Sequence, residues 1–464
     1  MTRTAKTLIA VLIATMVAMT MFVSKKEKGQ HEKTVISIGL SGNFESTEEK
    51  KKEFMRKYPN ILIENANLSS VLYTSDISMQ NLDIEEIPTV FSTVFSEVSS
   101  FTNLGYATDI TDTMIKYGYV DAMNPVLLEA MTDDFGRIYG VPVSAYAQGL
   151  YINKKLFIQA GLVDENGNVR IPDTYEEVAD FSQIIKEKTG ASGFVIPNTG
   201  KFGGWHLMNI AWSNGVEFVK KTKDGTWKAC FDTPEFLSTL EWLYDMKWSK
   251  KALSDEMNID NSTTYSLFAS NQAAMMFANP PMGVLVSQFN MDKSDIFVAK
   301  MPKGSVNRVT QMGGDLYMIK AEATEEQVDA VFKWLEFNGL APVCNDTQMN
   351  LEKEQIRQTY ESGGIVLPQD VFDLWVTPER IQKSKEIKKE FVNVNLKDYE
   401  SFLGFEGVTI RKEVPVCCQE LYAILDDVIQ AVCTDVDVNI SLIIKEAERR
   451  WQVDYLDKLN ENIQ

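Results

Sequence analysis

Histidine is almost missing from this chain of 464 residues, which holds only His31 and His206. That leaves too little material for a histidine-based zinc site or a Ser-His-Asp triad. The five cysteines, Cys230, Cys344, Cys417, Cys418 and Cys433, have neither metal-ligand spacing nor the even count of a disulfide framework, so at least one thiol is unpaired. The adjacent pair Cys417-Cys418 opens an apolar helix and reads as core packing. The phosphate-binding loop, the dinucleotide fingerprint, the nucleophile elbow and HExxH are all lacking, so neither cofactor nor metal is expected. Basic residues are outnumbered 46 to 65, and the net charge of −19 repels phosphate backbones and disfavours nucleic-acid binding, so no nucleic-acid partner is expected. The same field disfavours an anionic ligand, so a neutral solute fits best.

The length implies two or three domains, and 44% hydrophobic with 24% charged residues is the balance of a soluble globular protein. Residues 1–24 read as an export signal or membrane anchor: Arg3 and Lys6 precede the uninterrupted run Leu8 to Val23. Residues 25–34 form a charged linker.

Thr34 to Leu40 is β-branched and reads as a first strand. A turn through Asn43 and Glu45 then opens a helix from Thr47 to Lys57, followed by a second strand at Tyr58 to Glu64. Asn43 and Glu45 thus stand beyond the carboxyl end of a strand, where open α/β sheets bind ligands. Helix capping by Asn43 and Ser46 is the other reading. Ile87 to Phe91 reads as a third strand that delivers Ser92 and Thr93 to the same rim.

The stretch Tyr139 to Leu162 is extended as far as Pro142, then forms a short strand and a helix stopped by Gly161. A strand leaving one globular body for another through such a joint suits a two-lobed hinge protein. Thr174 followed by Glu177 is a capping box, Gly193 to Pro197 reads as a buried strand, and Trp205 and Trp212 share one helical face. Gln311 to Ile319, with Gly313-Gly314, is a second extended crossing. Residues 341–395 resolve only into loops and two charged helices. The acidic pairs Asp133-Asp134 and Asp426-Asp427 read as solvated, in a turn and on a helix surface, rather than as glycosidase carboxylates.

Several of these stretches, in their order and spacing, resemble the family 1 extracellular solute-binding proteins, receptors that feed carbohydrates to ABC importers. They include the opening through Lys57-Tyr58-Pro59-Asn60-Ile61, Ile171 to Val178, Asp232-Thr233-Pro234-Glu235, Leu267 to Phe277, and the C-terminal helices with Trp451 to Leu456. The resemblance implies a two-lobed α/β fold of the periplasmic-binding-protein type II, maltose-binding-protein-like, each lobe a mixed sheet flanked by helices, with the ligand cleft between lobes. Lobe one would comprise residues 35–143 plus about 314–345, and lobe two 144–310 plus about 346–464. Where such receptors usually end the N-terminal apolar run with a lipobox cysteine, Met21 to Ser24 stands instead, so the chain is expected at the outer face of the cytoplasmic membrane or in the periplasm, anchored or released.

The binding rim expected from this resemblance joins Asn43, Glu45, Ser92, Thr93, Gly314 and Asp315 to Tyr146, Trp205, Asn279 and Met282. Short polar side chains suit sugar hydroxyls and aromatic faces suit sugar C–H faces, although core packing is the alternative for Trp205 and Trp212. Met282 takes the position of the family's usual stacking tryptophan. The implied partners are a small-molecule solute, a neutral carbohydrate, and ABC permease subunits; the implied state is a monomer without enzymatic activity. A receptor for a cationic or peptide-like solute and a secreted glycan-active enzyme are the competing readings.

Overall fold

The computed structural model describes residues 33–40, 44–66, 84–256 and 258–461. The export segment, nearly all of the charged linker and Asn43 therefore lie outside the described residues. Among the described residues no helix is long and apolar enough to cross a membrane.

Lobe one is built on a five-stranded mixed sheet. Strand β1 (Thr34–Gly39) runs parallel to β2 (Ile61–Asn65) and to β3 (Val90–Val94). β12 (Asp315–Ile319) is antiparallel to both β3 and β4 (Gly140–Pro142). Alternation along β1 sends Ile36 and Ile38 into the core, as period-two patterning requires. The helix Glu48–Lys57 is capped by the Thr47 side chain and carries Phe54 inward, edge-on to Trp334 at 5.2 Å. Trp334 lies on the helix Glu325–Phe337, which starts at a full capping box between Thr324 and Gln327.

In lobe two, β6 (Gly149–Asn153) is flanked antiparallel by β10 (Ile296–Lys300) and β9 (Met275–Ala278), and a hairpin pairs β7 (Val219–Lys221) with β8 (Trp227–Ala229). The anticipated strand at Gly193 to Pro197 forms only isolated bridges, Phe194 with Leu253 among them. The helix Phe202–Ser213 is buried on nearly every side and packs against the helix Cys418–Thr434. Gly204 makes that approach possible, because a Cβ there would stand 2.4 Å from the Tyr422 carbonyl oxygen. Asp426, anticipated on a solvated surface, is buried: its carboxylate accepts from the Lys201 N–H (2.5 Å) and the Gly204 N–H (2.8 Å) at the start of that helix. Its neighbour Asp427 does face outward, paired with Arg450.

The lobes are joined by a three-stranded unit in which β11 (Val309–Gly313) lies between β13 (Thr409–Lys412) and β5 (Tyr146–Ala147). The first crossing runs from β4 through Val143 to Ala145 into β5, and the second runs from β11 through Gly314 into β12. Residues 346–395, which the sequence groups with lobe two, pack on both lobes. Ile365 and Leu367 join a lobe-two core, whereas Trp375 is buried in the core of lobe one.

Candidate functional site

The two crossings are tied together at one point. The main-chain N–H groups of Val143 and Ser144 both donate to the Asp315 carbonyl, at 2.9 and 3.3 Å. The Ser144 hydroxyl donates to Asp315 Oδ2 at 2.7 Å and accepts from the Asp315 N–H at 3.2 Å. Gly314 is packed beneath this knot, where a Cβ would meet the Ser144 carbonyl oxygen at 2.2 Å.

Beside the knot a cavity of about 290 Å³ lies between the lobes. Its walls are Val143, Ser144 and Ala145 from the first crossing, Pro280 and Pro281 from lobe two, and the stretch Ile365 to Leu374. A second cavity of about 250 Å³ shares Val143, Ile356, Asp370, Leu374 and Lys388 with it and continues to Phe44, Trp375 and Arg380. The joint space is therefore bounded by both lobes and by the segment that crosses between them.

The helix Pro378–Lys389 supplies the polar wall. Arg380, Ser384 and Lys388 recur every four residues, so they share one helical face, and all three are buried. Buried charges are costly unless paired, and each of these is partnered. Arg380 Nη1 donates to the carbonyls of Ala341 (2.7 Å) and Val343 (3.0 Å), and its guanidinium stacks on Trp375 at 4.6 Å. Ser384 donates to Glu352, and Lys388 is paired with Asp370. Burial, and then the nearby charge of Asp370, hold the Asp373 carboxyl above its usual range. The wall thus offers donors and acceptors side by side, the pattern that hydroxyl groups match. Among the described residues, no group of three or more His, Cys, Asp or Glu side chains could hold a metal ion.

None of the described rim residues expected from sequence lines either cavity. Glu45 is exposed next to Phe44, which does line one. Ser92 and Thr93, expected beyond the end of a strand at Phe91, lie inside β3, buried and paired with Tyr317 and Leu316. The strand reaches Val94 because β12 supplies an antiparallel partner that far, pairing Asp315 with Val94. Asp315 is engaged by Ser144, and Gly314 is enclosed. Tyr146 and Trp205 do come together, edge to face at 5.9 Å, but Trp205 belongs to the lobe-two core. Asn279 and Met282 flank the cavity-lining Pro280 and Pro281; Met282 is buried and its N–H donates to the Tyr151 hydroxyl at 3.0 Å. Asp370, Asp373, Trp375, Arg380, Ser384 and Lys388, which line the cavity, are not among the residues expected from sequence. Arg380, Ser384 and Lys388 recur every four residues, but other charges of the same helix do so too, and nothing in the sequence marks Asp370, Asp373 or Trp375.

A family model described as bacterial extracellular solute-binding protein matches residues 41–339. A curated binding protein of Brucella abortus (strain 2308) is 28% identical over 152 residues, which is 31% of this chain and 33% of that protein. The match thus spans a third of the length of that relative. Among solved structures, a maltose-bound protein of T. maritima is 19% identical with a TM-score of 0.63, covering 90% of this chain and 99% of that one. An ABC substrate-binding protein of Listeria monocytogenes in complex with cycloalternan gives a TM-score of 0.66 at 16% identity, with 93% and 99% covered. UgpB of Mycobacterium tuberculosis in complex with glycerophosphocholine gives 0.67 at 15% identity, again with 93% and 99% covered. At these identities the likeness establishes the two-lobed α/β fold.

Proposed function

The chain belongs to the bacterial extracellular solute-binding proteins, and on that premise we propose that it binds a neutral carbohydrate between its lobes and delivers it to the permease of an ABC importer. The observation that carries this reading is the pair of adjoining cavities walled by both lobes, where Arg380 is held by main-chain carbonyls and Lys388 by Asp370. With Glu352, Asp370 and Asp373 against Arg380 and Lys388, such a wall offers hydrogen bonds and little net charge, which suits a hydroxyl-rich solute better than an anion. Bound solute would stabilise the arrangement in which both lobes touch it, because a ligand shifts an equilibrium only through its preference for one state. The protein would work as an exported monomer at the outer face of the cytoplasmic membrane or in the periplasm, without catalysing a reaction.

Asp370 and Asp373 at the shared wall favour a second reading, a cationic solute, since two neighbouring carboxyls would gain from an ammonium group. A thermal-shift screen of the full chain against mono- and oligosaccharides and a few amines separates the two. Ligand at 100 times its dissociation constant adds about 2.7 kcal/mol of stability. A shift with one sugar class supports the carbohydrate reading. Silence with sugars and a shift with amines would replace it by the second.

A further inference from the structure

We propose that the docking of lobe one onto lobe two beside the second crossing is proton-linked, with Glu413 as the group that takes up the proton. The turn Phe95–Glu97 follows β3 in lobe one, and all three of its residues are buried. Phe95 N–H donates to the Gly314 carbonyl at 3.1 Å, which fixes the turn against the crossing. The Ser96 hydroxyl accepts from Gln419 Nε2 of lobe two at 3.2 Å, and the Ser96 main chain lies near enough to the Glu413 carboxyl to act on it. On the lobe-two side, Glu413 Oε1 accepts from the Tyr422 hydroxyl at 2.8 Å and from Gln311 Nε2 at 3.4 Å.

One oxygen on each of these partners is left over. Glu413 Oε2 and Gln311 Oε1 are both buried, and neither has a donor. Buried acceptors without donors are costly, and here two sit on side chains already in contact. A single proton on the carboxyl turns one of them into a donor. The surroundings do not favour the charged form. Glu97 of the lobe-one turn and Glu413 both act on the buried Cys418 thiol and, after burial itself, push it well up. Burial likewise pushes the neighbouring Cys417 thiol up to about 12. Lys412, the cation next to Glu413 in the chain, is spent on Glu129 of lobe one at 2.8 Å. Burial pushes the Glu413 carboxyl up to about 7, against the lowering pull of Tyr422 and of the Ser96 main chain.

The direction of the linkage follows. A carboxyl raised in the docked state binds a proton there that it loses once the turn lifts away and water enters. Docking is therefore strongest below about pH 4.5, weakens as the pH rises from there, and changes no further above about 7. This contact is separate from the cavity wall, so the linkage does not depend on what the cleft holds.

Small-angle scattering of the full chain without added solute tests it. The radius of gyration is expected to rise between about pH 4.5 and pH 7.5 and to level off above. In Glu413→Gln the amide supplies the missing donor and cannot ionise, so the compact value is expected at both ends. A wild-type radius unchanged across this range overturns the proposal, whether or not the variant folds. A step that persists in a folded Glu413→Gln overturns the assignment to this residue.

Discussion

Ser144 and Asp315 hold the two crossings together through a reciprocal pair of hydrogen bonds, hydroxyl to carboxylate at 2.7 Å and N–H to hydroxyl at 3.2 Å. Ser144 follows the end of β4 and Asp315 opens β12, so their contact sets where lobe one meets the joint. Ser144→Ala removes both bonds while leaving the backbone contacts in place. The expected loss is about 1–2 kcal/mol of unfolding free energy, read by urea denaturation of the full chain.

Gly314 has no room for a side chain. A Cβ would meet the Ser144 carbonyl oxygen at 2.2 Å and the Phe95 ring at 2.6 Å. Gly314→Ala is therefore expected to cost about 1–3 kcal/mol, measurable as a lowered denaturation midpoint. Gly407, whose added Cβ would meet nothing, is a poor control only because its φ of +74° strains any side chain.

The segment 346–395 is anchored to lobe one by Trp375, which packs beneath Arg380 and 5.8 Å from the Tyr119 ring. Trp375→Ala empties a core site and is expected to cost about 3–5 kcal/mol. Circular dichroism melting gives the readout, and a change within error would show that this segment is not part of the lobe-one core.

His206 is buried in lobe two, its Nδ1 2.8 Å from Gln148 Oε1, and burial holds its pKa down to about 3. The folded state keeps the ring neutral, whereas the unfolded chain protonates it near 6.5. Its contribution to stability is complete above 6.5 and is lost as the pH falls, by about 2 kcal/mol between pH 7 and pH 5. His206→Gln should flatten that slope in denaturation at the two pH values. Glu413 acts with the opposite sign, gaining stability as the pH falls below about 7, so the comparison is made in a Glu413→Gln background.

What the sequence made legible was local. The β-branched run of β1 and the Gly161 stop each depend on neighbours a few residues away. So does the Thr174 cap, whose side chain accepts from Glu177 N–H. The crossings could be found because proline and glycine punctuate them. Ser92 and Thr93 were misplaced because the length of β3 is set by β12, more than two hundred residues away. Asp426 was read as solvated because nothing in its helix announces the two N–H donors that Lys201 and Gly204 bring to it. The cavity wall escaped for the same reason: Arg380 and Lys388 sit among other charges on a polar helix, and only packing shows which of them face inward.

The central claim, that solute binds in the space walled by both lobes, is tested most directly by filling that space. Gln369 lines the larger cavity and is only partly buried, so Gln369→Trp occupies it without disturbing either core. Calorimetric titration with the sugar class that stabilises the wild type is expected to show binding weakened on the order of 100-fold, with the unliganded melting temperature little changed. Equal affinity in the two proteins would place the solute elsewhere and contradict the account.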